Sequence, residues 1–180
     1  MHQLLYCVQS NCDKYITAFQ PMKMPSTNSK INARDMASLR LDNQLCFAIY
    51  SASLAMTKLY RPFLLELNLT YPQYVVMMAL WERDAITVSA LGEQVALDSG
   101  TLTPLLKRIE ILGFISRTRN PQDEREVHIR LTSAGAKLQK AAAVMHGKIA
   151  CATDCSSTDR KVLTQTLQRL RVSLQANIQS

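Results

Sequence analysis

The stretch that decides the fold is Leu97-Asp98-Ser99-Gly100-Thr101-Leu102-Thr103-Pro104-Leu105-Leu106-Lys107-Arg108-Ile109-Glu110. Its leucines and isoleucine recur every three or four residues, which predicts one amphipathic helix with a buried face. The other face carries small hydroxyl residues at one end and cations further along: Ser99, Thr101, Thr103, Lys107 and Arg108. A helix in a DNA major groove needs small polar groups that approach base edges, and Lys or Arg that reach guanine or phosphate. An ordinary amphipathic helix with a solvated cationic face would show the same pattern.

Two β-rich runs follow this helix and favour the DNA-binding interpretation. Residues 114–119 and 127–131 alternate apolar and polar side chains, as half-buried strands do, and a turn from Asn120 to Glu126 joins them. We expect the basic side chains of both arms to point outward: Arg117, Arg119, His128 and Arg130. Arg125, braced by Asp123, is expected to reach into a minor groove; a plain solvated turn residue is the alternative. A helix followed by such a hairpin is the arrangement of a winged helix.

Composition sets limits on the class of protein. The chain has 180 residues, a formal net charge of +7 and 47% hydrophobic residues. This excess of positive charge favours binding to polyanions but does not identify which polyanion the protein binds. No apolar run approaches the ~20 residues that span a membrane, and the first residues lack the features of a secretory signal. The sequence therefore predicts a cytoplasmic protein without a membrane segment.

The chain divides into a weakly patterned start and a helical remainder. Residues 1–36 show no sustained period and are expected to be a flexible extension. Residues 37–180 are expected to form a single domain, with dimerisation helices at about 38–67 and 133–180 and a winged helix-turn-helix at about 70–131. The first helix should start between Ser38 and Asp42, and the helix after the hairpin should run to about Cys155. The fold class is thus mainly α with a small β-wing.

The first and last helices carry more apolar surface than one small winged-helix core can cover. The last helix, capped by Ser156 to Asp159, has its apolar residues at helical spacing: Val162, Leu163, Leu167, Leu170, Leu174 and Ile178. Surplus apolar faces of this kind predict a symmetric homodimer, which is the usual state of helix-turn-helix proteins that read two half-sites.

The order of elements and four segments resemble the MarR family of bacterial transcription factors, and within it the organic-hydroperoxide-sensing OhrR-like proteins. The segments are Leu41-Asp42-Asn43-Gln44-Leu45-Cys46-Phe47-Ala48-Ile49-Tyr50, Leu69-Thr70-Tyr71-Pro72-Gln73-Tyr74, residues 97–110 and Asp123-Glu124-Arg125. The resemblance covers roughly Leu39 to Cys155 and weakens over the last helix. It implies a repressor that binds a pseudo-palindromic double-stranded DNA operator as a homodimer. Organic hydroperoxide would be its inducer, and no cofactor is implied.

The resemblance also assigns a redox role to Cys46. It makes Cys46 the peroxidatic thiol, makes Tyr60 and Tyr71 the hydroxyls that bond the thiolate, and brings Tyr50 across the dimer. The position agrees with this role, because a cysteine in the early turns of the first helix lies near the positive end of the helix dipole. Without the resemblance, the pattern alone favours a small core cysteine among packing tyrosines.

The remaining cysteines suggest one further role. Five cysteines at wide spacings fit neither a disulfide framework nor a zinc site. In the two-cysteine branch that the sequence resembles, a cysteine after the wing resolves the oxidised thiol across the dimer. Cys151 matches that position, and Cys155, one turn further on the same helix face, is the substitute. Both are otherwise inert helix cysteines.

Two other functions compete with the redox switch. One is a MarR-type repressor that a non-covalently bound phenolic or lipophilic ligand releases, with Cys46 structural. The other is an enzyme, a thiol peroxidase that turns over at Cys46. No Ser-His-Asp set, metal cluster or phosphate-binding loop is present to support an enzyme, so the sequence predicts that the protein is not one.

Overall fold

The computed structural model describes residues 33–120 and 123–179, so the extension expected over residues 1–36 lies for the most part outside it. The helices are α1 (Ala33–Ser38), α2 (Leu45–Glu66), α3 (Tyr71–Glu82), α4 (Val88–Val95), α5 (Ser99–Ile111), α6 (Ser133–Ala152) and α7 (Ser157–Gln179). A 3-10 turn at Leu41–Asn43 precedes α2. The strands are β1 (Ile86–Thr87), β2 (Ile115–Asn120) and β3 (Asp123–Leu131).

Helix α3 lies at the centre of the core, as its nearly continuous apolar sequence predicts. Val76, Met77 and Leu80 are fully buried. Pro72 stands in the first turn, where its missing N–H costs little. The Thr70 backbone N–H donates to Gln73 Oε1 at 2.7 Å, which closes one arm of a capping box.

Helices α4 and α5 form the predicted helix-turn-helix. Thr87 caps α4 through a hydrogen bond from the Ala90 N–H to Thr87 Oγ1 at 3.1 Å. The helix ends at Ala96, which takes a left-handed conformation with φ 55°. Gly92 of α4 packs closely against the turn, since an added Cβ there would lie 2.9 Å from the Leu97 carbonyl oxygen.

The sheet has three strands rather than the two that the sequence predicts. Its order is β1-β3-β2, with Ile86 paired to Ile129 and Ile115 paired to Leu131. The two residues of β1 are too few to show an alternating pattern, so only pairing with β3 reveals the strand. The strands of the wing also extend beyond the expected turn, because β3 already begins at Asp123.

The first long helix begins later than predicted. The expected start lies between Ser38 and Asp42, whereas α2 starts at Leu45. Gln44 takes an extended conformation, with φ −94° and ψ 113°, and interrupts the helical path. Its side-chain amide donates to the Ser38 carbonyl oxygen instead. Cys46 consequently becomes the second residue of the helix.

Helix α6 begins where the sequence predicts and ends earlier. The Gly135 N–H donates to Thr132 Oγ1 at 3.1 Å and caps its first turn. The helix ends at Ala152 rather than at about Cys155, and Asp154 follows with φ 50°. Cys155 therefore lies outside the helix, and the expectation that it shares a helix face with Cys151 is wrong.

In the ranges that the structure covers, no helix combines the length and the apolar character needed to cross a membrane.

Candidate DNA interface and redox site

The proposed recognition helix α5 is held by a polar cap and an apolar underside. Asp98 accepts the Thr101 N–H at 3.0 Å and the Thr101 hydroxyl at 2.9 Å. These hydrogen bonds from Thr101 lower the pKa of the Asp98 carboxyl. Leu102, Leu106 and Ile109 are buried against the core, so the sequence-predicted inner face of the helix is confirmed.

The outer face of α5 presents the groups expected at DNA, in two different settings. Ser99 and Lys107 are exposed, while Thr103 is half-buried and its hydroxyl donates to the Ser99 carbonyl oxygen at 2.7 Å. The hydroxyl of Thr101 donates its hydrogen bond to Asp98. Arg108 lies on another side of the helix, in an apolar groove of about 380 Å³ that Leu65 also lines. Direct base contact by these residues stays a prediction.

The wing departs from its predicted pattern at Arg117. In antiparallel strands, residues that pair directly share a face, and Arg117 pairs with the buried Ile129. The expectation that Arg117 points outward is therefore wrong. Its Nε donates to Glu110 Oε2 at 2.7 Å and its Nη2 lies 2.5 Å from the same oxygen. Arg130 lies on the opposite face and is exposed, as expected, whereas Arg119 shares the strand face of Arg117 but is exposed nearer the wing tip.

Asp123 and Arg125 both belong to β3. Their side chains, and the expected brace between them, lie outside the described part of the structure.

Cys46 lies at the N-terminal end of α2 and is exposed. The backbone N–H groups of a first helical turn have no partner within the helix and carry the positive end of its dipole, so they favour a nearby anion. The side chains around it are apolar and solvent-facing in the single chain: Leu45, Phe47, Ile49 and Tyr50. Cys46 is therefore not the buried core cysteine that the pattern alone would favour.

The three predicted tyrosines fall into two groups. Tyr50 is one helical turn from Cys46. Tyr60 lies fourteen residues beyond Cys46 on the same helix, which at 1.5 Å per residue places it about 21 Å from Cys46. Tyr60 contacts Tyr71, with ring centroids 5.1 Å apart in an edge-to-face arrangement. Within one chain, neither of these two reaches the sulfur of Cys46. Which subunit supplies Tyr50, Tyr60 and Tyr71 to Cys46 in the dimer stays a prediction.

Tyr74 belongs to the same aromatic group and was not predicted from the sequence. Its ring centroid lies 5.8 Å from that of Tyr60 and 6.1 Å from that of Trp81. Burial raises the pKa of both Tyr60 and Tyr74, and their tyrosine neighbours raise it further. Both phenols are thus protonated hydrogen-bond donors at neutral pH. The Tyr-Pro-Gln-Tyr spacing places Tyr71 and Tyr74 on one helix side and could have indicated this.

Cys151 and Cys155 are both exposed, near the junction of α6 and α7. Cys151 stands in the last turn of α6, and Cys155 follows in the connection. Arg160 orders this connection, because its guanidinium donates to the Ala150 carbonyl oxygen at 3.0 Å and to the Cys155 carbonyl oxygen at 2.6 Å. The Cys151 thiol therefore stands on helical backbone, whereas the Cys155 thiol stands on a connection that Arg160 holds.

Helices α2 and α7 expose long apolar faces. On α2 these include Leu54 and Met56, and on α7 Leu163, Leu167 and Leu174 are between 42% and 56% exposed. No residue of α7 within the described range 157–178 is buried. Faces of this extent are typical of subunit interfaces, which agrees with the predicted homodimer.

The described residues hold no group of three or more His, Cys, Asp or Glu side chains that could bind a metal ion. A helix-turn-helix with a polar outer face, a β-wing and apolar faces on flanking helices defines a winged-helix DNA-binding regulator.

Comparison with known proteins agrees with this class. The family model described as "Transcriptional regulator SarA/Rot" matches residues 58–142. The organic hydroperoxide resistance transcriptional regulator of Bacillus subtilis is 48% identical over 136 residues, which is 76% of this chain and 92% of that protein. The regulator TtmR of Methylorubrum extorquens is 42% identical over 76% of this chain and 70% of its own length.

Solved structures give the same result. AbfR of Staphylococcus epidermidis has a TM-score of 0.64 at 34% identity, over 82% of this chain and 100% of that one. Reduced AbfR bound to DNA has a TM-score of 0.67 at 33% identity, over 79% of this chain and 97% of that one. A disulfide-formed AbfR has a TM-score of 0.55 at 35% identity, over 76% of this chain and 96% of that one. The chain belongs to the MarR family of winged-helix transcriptional regulators, in its OhrR-like branch, and this is not a family of enzymes.

Proposed function

We propose that this chain is a repressor that organic hydroperoxide releases from DNA through oxidation of Cys46. The observation that carries the proposal is the position of Cys46. It is the second residue of α2, and it is exposed within an apolar face that a partner subunit would cover. The name of the Bacillus subtilis relative, organic hydroperoxide resistance transcriptional regulator, supports the choice of inducer.

The first chemical step is a two-electron oxidation of sulfur. The Cys46 thiolate attacks the terminal oxygen of the hydroperoxide, an S–O bond forms, the O–O bond breaks, and the alkoxide leaves and takes up a proton from solvent to become the alcohol. Tyr60 and Tyr71 of the partner subunit would donate hydrogen bonds to the sulfur, since Tyr60 of the same chain lies about 21 Å from Cys46 along α2 and Tyr71 packs against that Tyr60.

The second step forms a disulfide. The thiolate of Cys151 from the other subunit attacks the sulfur of the Cys46 sulfenic acid, an S–S bond forms, the S–O bond breaks, and the hydroxide takes up a proton from solvent and leaves as water. The Cα atoms of a disulfide lie within about 7 Å of each other. Bringing α2 and the last turn of α6 so close would rotate the winged units and change the half-site spacing. The solved disulfide-formed AbfR, on a similar fold, supports the formation of a disulfide.

Residues 37–180 would act as one unit in this scheme. Helices at about 38–67 and 133–180 would form the dimer, and the winged helix-turn-helix at about 70–131 would bind a pseudo-palindromic operator in the cytoplasm. Ser99, Thr103 and Lys107 would face the major groove, and Asp123 with Arg125 would work at the wing tip. Thr101 would act through its hydrogen bonds to Asp98, and Arg108 from the flank of the helix.

Cysteine variants separate the steps. After treatment with an alkyl hydroperoxide, non-reducing gels should show a covalent dimer in the wild type and none in Cys46→Ser. Cys151→Ser should form no covalent dimer. Its Cys46 should still be oxidised to a sulfenic acid, which then oxidises further to irreversible states. Cys155→Ser is the matched control and should still form the dimer. Loss of the covalent dimer in Cys155→Ser alone would move the resolving role to that residue.

A further inference from the structure

The wing is joined to the recognition helix by one partly buried ion pair. Arg117 of β2 directs Nε and Nη2 at a single oxygen of Glu110 in α5, at 2.7 and 2.5 Å. Their side chains are 29% and 34% exposed. Two donors on one carboxylate fix the angle of the guanidinium plane as well as its distance.

The backbone between the two residues supports the same geometry. Gly113 takes a left-handed conformation with φ 75°, which suits glycine, and ends α5. The Phe114 N–H donates to the Ile109 carbonyl oxygen at 3.2 Å, so the first residue before β2 is bound to the last buried residue of the helix. The ion pair therefore adds a side-chain contact at the third residue of β2, three residues beyond Phe114.

Arg117 lines a cleft of about 460 Å³ between the wing and the helix-turn-helix. Thr103 and Leu106 of α5 line one side, and Glu126 and Val127 of β3 line the other. Without the contact from Arg117 to Glu110, the strands could swing over this open space. On β3, Oε2 of Glu126 lies 3.4 Å from Nε2 of His128.

We propose that Glu110 and Arg117 are positioning residues for DNA binding. They hold the wing at one angle to α5, so that the helix and the wing tip meet adjacent grooves without a further ordering step. Pre-organisation of this kind increases affinity because less conformational freedom is lost on binding. The inference rests on the DNA-binding role and is independent of the oxidation of Cys46.

Electrostatics and positioning predict opposite results for one substitution. Glu110→Gln removes a negative charge near DNA, so electrostatics alone predicts tighter binding. Positioning by the ion pair predicts weaker binding, by about tenfold, which is a loss of about 1.4 kcal/mol. Arg117→Met should cause a similar loss, and the double variant should be no worse than either single variant, because both remove one interaction.

The experiment measures fluorescence anisotropy of a labelled operator from the protein's own upstream region, with fully reduced protein and a salt series. Each phosphate contact contributes a slope of about −0.9 in the log–log plot, and the positioning residues should leave the wild-type slope unchanged. Arg119→Met, an exposed arginine on the same strand, is the matched control for loss of charge. Reduced wild-type protein that binds the operator provides the baseline, whether or not hydroperoxide later releases it.

Two further variants guard against a folding defect. Exchange of the pair, Glu110→Arg with Arg117→Glu, should restore part of the lost affinity, and circular dichroism should show each variant folded. Full or increased affinity of Glu110→Gln would overturn the proposal. A shallower salt slope in Arg117→Met, with wild-type affinity in Glu110→Gln, would instead make Arg117 a direct phosphate contact.

Discussion

Replacement of Gly135 by alanine tests how closely α6 is bound to the root of the wing. An added Cβ at Gly135 would lie 2.0 Å from the carbonyl oxygen of Phe114 and 2.9 Å from its carbonyl carbon. Both are backbone atoms, so no side-chain rotation relieves the clash. Helix α6 must move away from the start of β2.

The expected cost has two parts. Overpacking at a backbone contact costs about 1–3 kcal/mol. The shift also stretches the hydrogen bond from Trp81 Nε1 to the Gly135 carbonyl oxygen, which is 2.9 Å long and contributes about 1 kcal/mol. A total loss of about 2–4 kcal/mol lowers the melting temperature of a chain of this size by roughly 5–15 °C.

Gly147→Ala is the matched control in the same helix. No atom lies within 4 Å of an added Cβ there, so alanine should stabilise the helix by about 0.5–1 kcal/mol. Thermal unfolding followed by circular dichroism, at one fixed protein concentration, compares the variants. Emission from Trp81, the one tryptophan of the chain, should change in Gly135→Ala only. A melting temperature of Gly135→Ala at or above that of the wild type would refute the packing argument.

Two further predictions concern the dimer and the recognition helix. Leu167→Arg places a charge on the exposed apolar face of α7 and should lower dimer affinity at least about tenfold. Sedimentation velocity at micromolar concentration compares it with Gln168→Arg as the control. A Leu167→Arg variant that stays fully dimeric would contradict the prediction. Asp98→Ala should lower the melting temperature at neutral pH, because the folded-state pKa of this carboxyl is lowered. Its stabilisation is present above the unfolded value of about 4 and is lost as pH falls through the folded value, so a difference between wild type and variant that persists at lower pH would contradict the assignment.

Much of the fold follows from local patterns. The apolar spacing in α5 and the alternation in the wing each report the neighbourhood of their own residues, and the structure confirms the helix and the two wing strands. The start of α2 could not be predicted in this way, because the apolar spacing continues through Leu41 while the backbone turns at Gln44. Strand β1 depends on a partner more than forty residues away.

The candidate site was predictable in its residues and less so in its arrangement. Arg117 looks like one of several outward cations until register places it beside Ile129 and opposite Glu110. Cys46, Tyr60 and Tyr71 follow from resemblance, but which subunit supplies each is a property of the assembled dimer and stays a prediction. Cys155 seemed equivalent to Cys151 because a period of four continues past Ala152, where the helix ends.

The central claim is that oxidation of Cys46 releases DNA. The most direct measurement is operator anisotropy during addition of one equivalent of alkyl hydroperoxide per subunit, for the wild type and Cys46→Ser in parallel. We expect the wild type to release the operator, and to bind it again after a dithiol reductant, while Cys46→Ser stays bound throughout. Release of DNA by oxidised Cys46→Ser, or a wild type that stays bound although its Cys46 is oxidised, would contradict the account.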